Sequence, residues 1–500
     1  MKILRWTALS VVALLLVSGA AFGVFYLQAR LDTAGKVDFA QELVIPPPAP
    51  STVDSSGVRT FDLDIRSGDT RFLDGQATKT WGVNGTFLGP TLRAKRGEKV
   101  AFSVRNGLAE ATSLHWHGMH LPADMDGGPH QLVEPGATWR PQWTISQQAA
   151  TLWYHPHLHG RTADHLYRGI AGMFLLDDDN SAGLGLPDDY GVDDLPLIVQ
   201  DRKFDGDNQF DHSAPFMSTG GVLGDEILVN GTRGPRTEIT TRQVRLRLLN
   251  ASNSRLYNFG FADDRPFHLI ATDGGLLPEP WQTSRLQLSP GERAEIVVEF
   301  QPGETTELRS YPTTFGYDAL GARLNGADDR LDLVQFRAAG TLADAGRLPE
   351  KLGTAPDLHT QPVAETRSFA LSGRTINGAK MDMARIDFAV RLDSTEVWEV
   401  TNTNGYMHNL HVHDVQFQVL DIDGQRPPPH LAGWKDTIQL GTDRRYRLAM
   451  RFSDYADPDT PYMLHCHLTL HEDEGMMSQF VVLGEGQSPG RITAPGHRHP

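Results

Sequence analysis

VAFSVRN, residues 100–106, alternates apolar and polar side chains and stops at an asparagine. The same stretch returns as VRLRLLN at 244–250 and as EVWEVTN at 396–402. Alternation with a period of two is the signature of a half-buried strand. Each copy follows a turn by 20 to 25 residues: Val83-Asn84-Gly85, Val229-Asn230-Gly231 and Ile376-Asn377-Gly378. Three copies of one unit predict three similar domains, 58–180, 190–345 and 362–485. Other short alternating runs, such as RAEIVVEF at 293–300, are also broken by Gly, Pro, Asn and Asp. No long segment of period 3.6 occurs beyond the N-terminus. The chain therefore reads as all-β, in consecutive sandwiches or barrels rather than βαβ units. The 49 glycines and 31 prolines fit many turns, and 500 residues exceed a single ordinary core.

Histidines sharpen the repeat. His115 and His117 stand nine and eleven residues after Asn106, and His411 and His413 stand nine and eleven after Asn402. At those offsets after Asn250 the chain has Phe259 and Phe261. The expectation is a site shared by domains one and three, with domain two as a spacer.

The clusters are HWHG (115–118), HPHLHG (155–160), HNLHVH (408–413) and HCHLTLHEDEGMM (465–477). On a strand, residues i and i+2 share a face about 6.5–7 Å apart, too far to chelate one ion easily but suited to two adjacent metals. Imidazole suits Cu, Zn, Fe and Ni. In His465-Cys466-His467 the sulfur falls on the face opposite the two rings, so it would serve a different metal. Cys466, His471 and Met476, with His408 as second imidazole, form the His₂Cys set with a weak axial Met used for blue-copper electron transfer. Electrons would then pass through Cys466 to a histidine-bound copper cluster that reduces O₂. Singly, an HxH pair is more often structural, a buried Cys inert and a Met core filler. Their coincidence with the domain repeat is what argues for chemistry.

With these motifs in view, residues 60–485 resemble the multicopper oxidases, the family of laccases, bacterial copper-efflux oxidases and bilirubin oxidases. The family pattern HxHG, HxH, HxxHxH and HCHxxxHxxxxM is met at every ligand position. The resemblance implies three cupredoxin-like Greek-key domains holding four copper ions. It implies that His115 and His411 hold the type 2 copper. His117, His155, His157, His413, His465 and His467 would hold the binuclear type 3 pair. His408, Cys466 and His471 would hold the type 1 copper, with Met476 axial. It also implies that Asp126, in MDGGP, and Glu472 are acids near the oxygen-reducing centre that relay protons, because four-electron reduction of O₂ consumes four protons. Two departures stand out. Asn409 replaces the family's proline in the third motif, and Asp414 replaces its glycine, so rigidity and solvent access beside His408 should differ. There is no long Met-rich insert. His159 and His165 are extra histidines, expected beside the centre or exposed, and the terminal GHRHP is expected as a tail.

The implied activity couples one-electron oxidation of a donor, phenolic or cuprous ion, to reduction of O₂ to water. The alternatives are a copper-free scaffold relative and a copper nitrite reductase-like enzyme. A formal charge of −16 argues against a nucleic-acid partner. Lys2 and Arg5 precede an uncharged run from Trp6 to Ala29. As a helix that run is about 36 Å long, enough to cross a bilayer. Residues 1–30 are expected to be an anchor or a signal peptide, and either places the rest outside the cytoplasm, in the periplasm or at the cell surface. A Pro-rich linker is expected over 31–57, a tail over 486–500 and a monomeric state. Cys466 is the sole cysteine, so the exported chain has no internal disulfide. The donor's identity rests on loops over His408 and His471 whose shape the sequence does not reveal.

Overall fold

The computed structural model describes residues 2–215, 218–314, 317–344, 346–354 and 357–492; the GHRHP end lies outside them. Six sheets form three sandwiches in series. In the first, a sheet built on Val58–Thr70 and Lys99–Asn106 faces one ordered Leu92–Lys95, Gly172–Asp177, Ala150–His155, His115–His117. Between them lie Phe61, Val104, Trp116, Tyr154 and Phe174. The second sandwich packs Leu246, Phe259, Phe261, Ile296 and Phe336. The third packs Trp398, Leu410, Leu448, Tyr462 and Phe480, and takes Cys466 and Met476 into the same core.

The repeat has a physical basis. Asn84, Asn230 and Asn377 all adopt positive φ, 55°, 52° and 51°, which Asn tolerates better than most residues. Each turns its side chain back onto its own sandwich. Asn84 Oδ1 accepts from Asp64 N (2.7 Å), Asn230 Oδ1 from Ile198 N (2.8 Å) and Asn377 Oδ1 from Ala370 N (2.8 Å). The strand-ending asparagines are just as regular. Asn106 Nδ2 donates to the Glu110 and Val133 carbonyls, Asn250 Nδ2 to those of Arg255 and Leu288, and Asn402 Nδ2 to those of Tyr406 and Leu440. One amide thus pins the loop that leaves each strand, which fixes where position nine after it lands.

One alternation misleads. VRLRLLN should turn Arg245 and Arg247 to solvent, yet Gln243–Asn250 is buried throughout. The outer face of this sheet lies against the first sandwich. There Arg247 pairs with Asp194 (2.6 Å) and Glu295 (3.0 Å), Arg245 pairs with Glu295, and Thr151 Oγ1 of the first sandwich donates to Glu295 (2.6 Å).

The N-terminal segment forms a helix, Lys2–Gln28. Its end rests on the helix Ala319–Leu324, where Tyr26 Oη donates to the Ala319 carbonyl and the Arg323 guanidinium lies 4.6 Å from the Tyr26 ring. Among the described residues no helix is long and apolar enough to cross a membrane. The anchor expectation falls partly on side chains outside them, those of Lys2–Arg5, Ala8, Val11–Ala13 and Ala21. The stretch expected as a linker runs bound along the body. Gln41–Glu42 pairs with Pro235–Arg236, Leu43 enters the second core, and Ser51–Val53 joins the first sandwich beside Phe61.

Candidate metal centre

Strand pairing brings the motifs together. His155 pairs with His115 across one sheet, and His411 pairs with His465 across another. All these rings are buried. On most of them the outer nitrogen meets an oxygen. His115 Nδ1 lies 2.9 Å from the Asp126 carbonyl, and His411 Nδ1 lies 2.9 Å from the Asp436 carbonyl. His155 Nδ1 meets the Pro156 carbonyl at 2.8 Å, and His465 Nδ1 meets that of Cys466 at 3.2 Å. His413 Nδ1 meets Asp126 Oδ2 at 2.7 Å, and His117 Nε2 meets Asp436 Oδ1 at 3.1 Å. A carbonyl or carboxylate oxygen can only accept, so the proton sits on the outer nitrogen and the inner nitrogen keeps its lone pair. This is how an oxygen behind the ring prepares a histidine for metal.

The inner nitrogens fall into groups. His117 Nδ1 is 3.2 Å from His155 Nε2, which is 3.4 Å from His467 Nε2. His157 Nε2 and His413 Nε2 lie 3.1 and 3.2 Å from His465 Nε2. His115 Nε2 and His411 Nε2 have no hydrogen-bond partner among the described residues. Bare lone pairs facing one another, and buried nitrogens with nothing to accept from, fit a cluster of cations. Burial, reinforced by neighbouring imidazoles, holds His117, His155, His157, His411 and His413 well below the ordinary imidazole range. Neutral imidazole is the ligand form.

A second group sits beside the first. Cys466 Sγ is 3.5 Å from His471 Nδ1 and 3.7 Å from His408 Nδ1, and the two Nδ1 atoms are 3.1 Å apart. The outward Nε2 of His408 donates to Asn404 Oδ1, and that of His471 donates to the Thr219 carbonyl of the second sandwich, each at 2.8 Å. Burial pushes the Cys466 thiol up to about 12, so a proton leaves it readily only in exchange for a cation. Met476 shares the core around Cys466, and its carbonyl accepts from Cys466 N at 3.2 Å. Met477 instead pairs in register with His465.

Both acids expected near the centre are there. Besides its contact with His413, Asp126 keeps Oδ1 3.4 Å from His115 Nδ1. Glu472 is buried, its oxygens have no hydrogen-bond partner among the described residues, and they lie 3.3 Å from His157 Nδ1 and 3.4 Å from His465 Nδ1. Burial raises its carboxyl well above the usual range. His165 is engaged elsewhere, bonded to Thr112 Oγ1 (3.0 Å) and Glu110 Oε1 (2.8 Å). His159 is partly buried, with Nδ1 lacking a partner among the described residues.

Domain two is more than a spacer. Its Arg293, fully buried, grips Asp436 with two hydrogen bonds of 2.7 and 2.6 Å. Arg293 Nε also donates to the carbonyl of Thr151, on the strand that carries His155. One guanidinium therefore touches all three sandwiches. The glycine of HWHG makes room for it. Gly118 has φ 87°, and a Cβ there would lie 2.6 Å from Asp436 Oδ2 and 2.7 Å from an Arg293 nitrogen. Neither Asp436 nor Arg293 carries a sequence signal. Asp126 follows His115 by 11 residues, whereas Asp436 follows His411 by 25.

The substituted glycine is costly. Asp414, where the third motif should have glycine, retains φ 71°. It is buried, its Oδ1 lacks a partner among the described residues, and burial together with Asp454 and Asp126 pushes its carboxyl well above the usual range.

Comparison with known proteins points to one family. Sequence profiles described as multicopper oxidase match residues 64–181, 201–313 and 352–485. Multicopper oxidase mco of Staphylococcus epidermidis is 33% identical over 450 residues, covering 88% of this chain and 92% of that one. Cell division protein FtsP of Sodalis glossinidius is 37% identical over 453 residues, covering 89% and 93%. The crystal structure of a laccase from Pediococcus acidilactici aligns with a TM-score of 0.80 at 33% identity, covering 91% of this chain and 98% of that one.

Proposed function

The chain belongs to the multicopper oxidase family, and from that premise we propose that it oxidises a small donor one electron at a time and reduces O₂ to water. The observation that carries this reading is the sorting of inner nitrogens. His117, His155 and His467 would hold one copper of the type 3 pair, and His157, His413 and His465 the other. His115 and His411 would hold the type 2 copper. Cys466, His408, His471 and Met476 would hold the type 1 copper. Copper at these positions would supply one-electron redox chemistry at the sulfur site and hold three further electrons among the histidines, four in all.

The chain's own residues do the rest. Cys466 and its neighbours His465 and His467 belong to different sites, so the backbone joins the two over single residues. Burial favours the protonated form of Glu472, which lies against two rings of the cluster, so it is placed to pass a proton inward. Asp126 fixes two imidazoles and balances part of the cations' charge. Phenols and cuprous ion are the proposed donors, with electrons entering on the side of His471 and His408, whose outward nitrogens meet Thr219 and Asn404. The N-terminal helix would export the body or tether it at a membrane, leaving the centre outside the cytoplasm.

A copper-free role, as in a cell-division scaffold, leaves two buried imidazole nitrogens without purpose and gains nothing from Cys466. Copper reconstitution followed by metal analysis separates the readings. We expect four coppers per chain, an intense blue thiolate-to-copper absorption, and oxygen uptake with a phenol or cuprous ion. A chain that takes up no copper, or a blue colour that survives Cys466→Ser, overturns the proposal.

A further inference from the structure

Asn409 stands where the family has proline, and the structure gives it work that no proline can do. It is fully buried, and both ends of its amide are held by the protein. Nδ2 donates to Ser289 Oγ at 3.1 Å and to the Pro290 carbonyl at 2.8 Å, both in the second sandwich. Oδ1 accepts from the backbone N of His467 at 2.6 Å and lies 3.5 Å from Cys466 Sγ. The orientation is not free. A peptide N–H at His467 and a carbonyl at Pro290 admit oxygen on one side and NH₂ on the other. The Ser289-Pro290 turn then runs straight to Gly291, where an added Cβ would lie 3.1 Å from the His467 ring. Domain two thus touches the link between the two metal groups twice, once through the Asn409 amide and once against His467.

We propose that Asn409 is a positioning residue that clamps the Cys466–His467 link to domain two and lowers the reduction potential of the sulfur site. This rests on the reading of Cys466 as a copper ligand. The physical argument is electrostatic. The metal-bound sulfur is a thiolate and has no hydrogen to donate, so Asn409 Oδ1 presents the negative end of a fixed dipole at 3.5 Å. The surroundings are dry, so that dipole is weakly screened. It stabilises the more positive, oxidised state of the site over the state that has gained an electron. Polar contacts around the Cys sulfur are a recognised control on such potentials. Because Nδ2 is held by Ser289 and Pro290, the dipole cannot rotate away, and the second sandwich sets its aim.

The test is a redox titration of the blue absorption in copper-loaded full-length protein. Asn409→Ala and Asn409→Leu, which keep the backbone N–H that faces the sulfur, should each raise the midpoint potential. The expected shift is about tenfold in the one-electron equilibrium, about 59 mV. A residue that only supported the fold would lower thermal stability and leave the potential in place. If neither variant folds, Ser289→Ala carries the test, since it frees one amide hydrogen without touching the strand. It should move the potential upward by about two- to threefold in the same equilibrium. An unchanged or lowered potential in a blue variant overturns the role of Asn409. A wild-type chain that loads copper without turning blue sinks the proposed function instead, so the two failures are distinct.

Discussion

His413 Nδ1 donates to Asp126 Oδ2 at 2.7 Å across the boundary between the third sandwich and the first. The relationship is returned: His117 Nε2 of the first sandwich donates to Asp436 Oδ1 of the third at 3.1 Å. Each aspartate also gives its backbone carbonyl to a histidine of its own sandwich. Two carboxylates therefore exchange partners across the site, and neither half orients its ligands alone.

Replacing either carboxylate should loosen the ligands of both halves. Asp126→Ala and Asp436→Ala are expected to weaken copper binding by about 10–100-fold, the usual cost of losing an outer-shell partner. Competition against a chelator of known affinity measures this. Equal affinity in Asp436→Ala would remove that residue from the site.

Arg293→Met should be among the most destabilising single changes in the chain. It leaves Asp436 buried and unpaired, which costs about 3–5 kcal/mol. Arg59→Met is the control. Its pair with Glu98 (2.8 Å) is about a quarter to a third exposed, so its loss should cost roughly 1 kcal/mol or less. Denaturant unfolding of the two variants gives the comparison.

Asp414→Gly should stabilise the protein. It relieves a positive φ and removes a buried carboxyl, together about 1–3 kcal/mol. The unfolding midpoint should rise. A fall would mean that Asp414 contributes an interaction larger than its strain.

Glu472→Gln should slow oxygen reduction by about 10²–10⁴-fold while reduction of the sulfur site by donor stays near wild type. Anaerobic stopped-flow, followed by mixing with O₂, separates the two steps. If both slow together, Glu472 supports the structure rather than the proton path.

Copper-free protein should be acid-sensitive. Burial lowers the folded pKa of the histidines at both sites, with His408 of the sulfur group and His467 of the cluster each at about 3, against an unfolded value of 6.5. Below 6.5 the unfolded chain binds more protons than the folded one. The stability from neutral imidazoles is therefore complete above about pH 6.5 and declines as pH falls, by about 1.4 kcal/mol per pH unit for each such histidine. Thermal melts from pH 8 to pH 5 should show the decline, and bound copper should postpone it.

Much of this was legible in the chain because it is local. The three strands ending at Asn106, Asn250 and Asn402, and the histidines at fixed offsets from two of them, follow from a period of two and a repeated amide bracket. The ligand types lay within a few residues of one another. What escaped depends on packing between sandwiches. Arg245 and Arg247 read as solvent-facing because nothing in their own strand announces the neighbour that covers them. Phe259 and Phe261 made domain two look inert, and they are inert core. Its contribution comes instead from Arg293, Ser289 and Pro290, residues of ordinary type at no recurring distance from any motif. The two departures, Asn409 and Asp414, were visible as departures, but their partners were not.

The histidine triplets also set a clock on maturation. His157 meets His465 across 308 positions of chain, and His155 meets His467 across 312. Both triplets wait for residues 465–467, so a chain whose third sandwich has not yet folded holds neither. Closing such long loops is slow, and it precedes any reward from the contacts made. A metal held by either triplet would therefore require the first and third sandwiches to have met, and its uptake would report that docking.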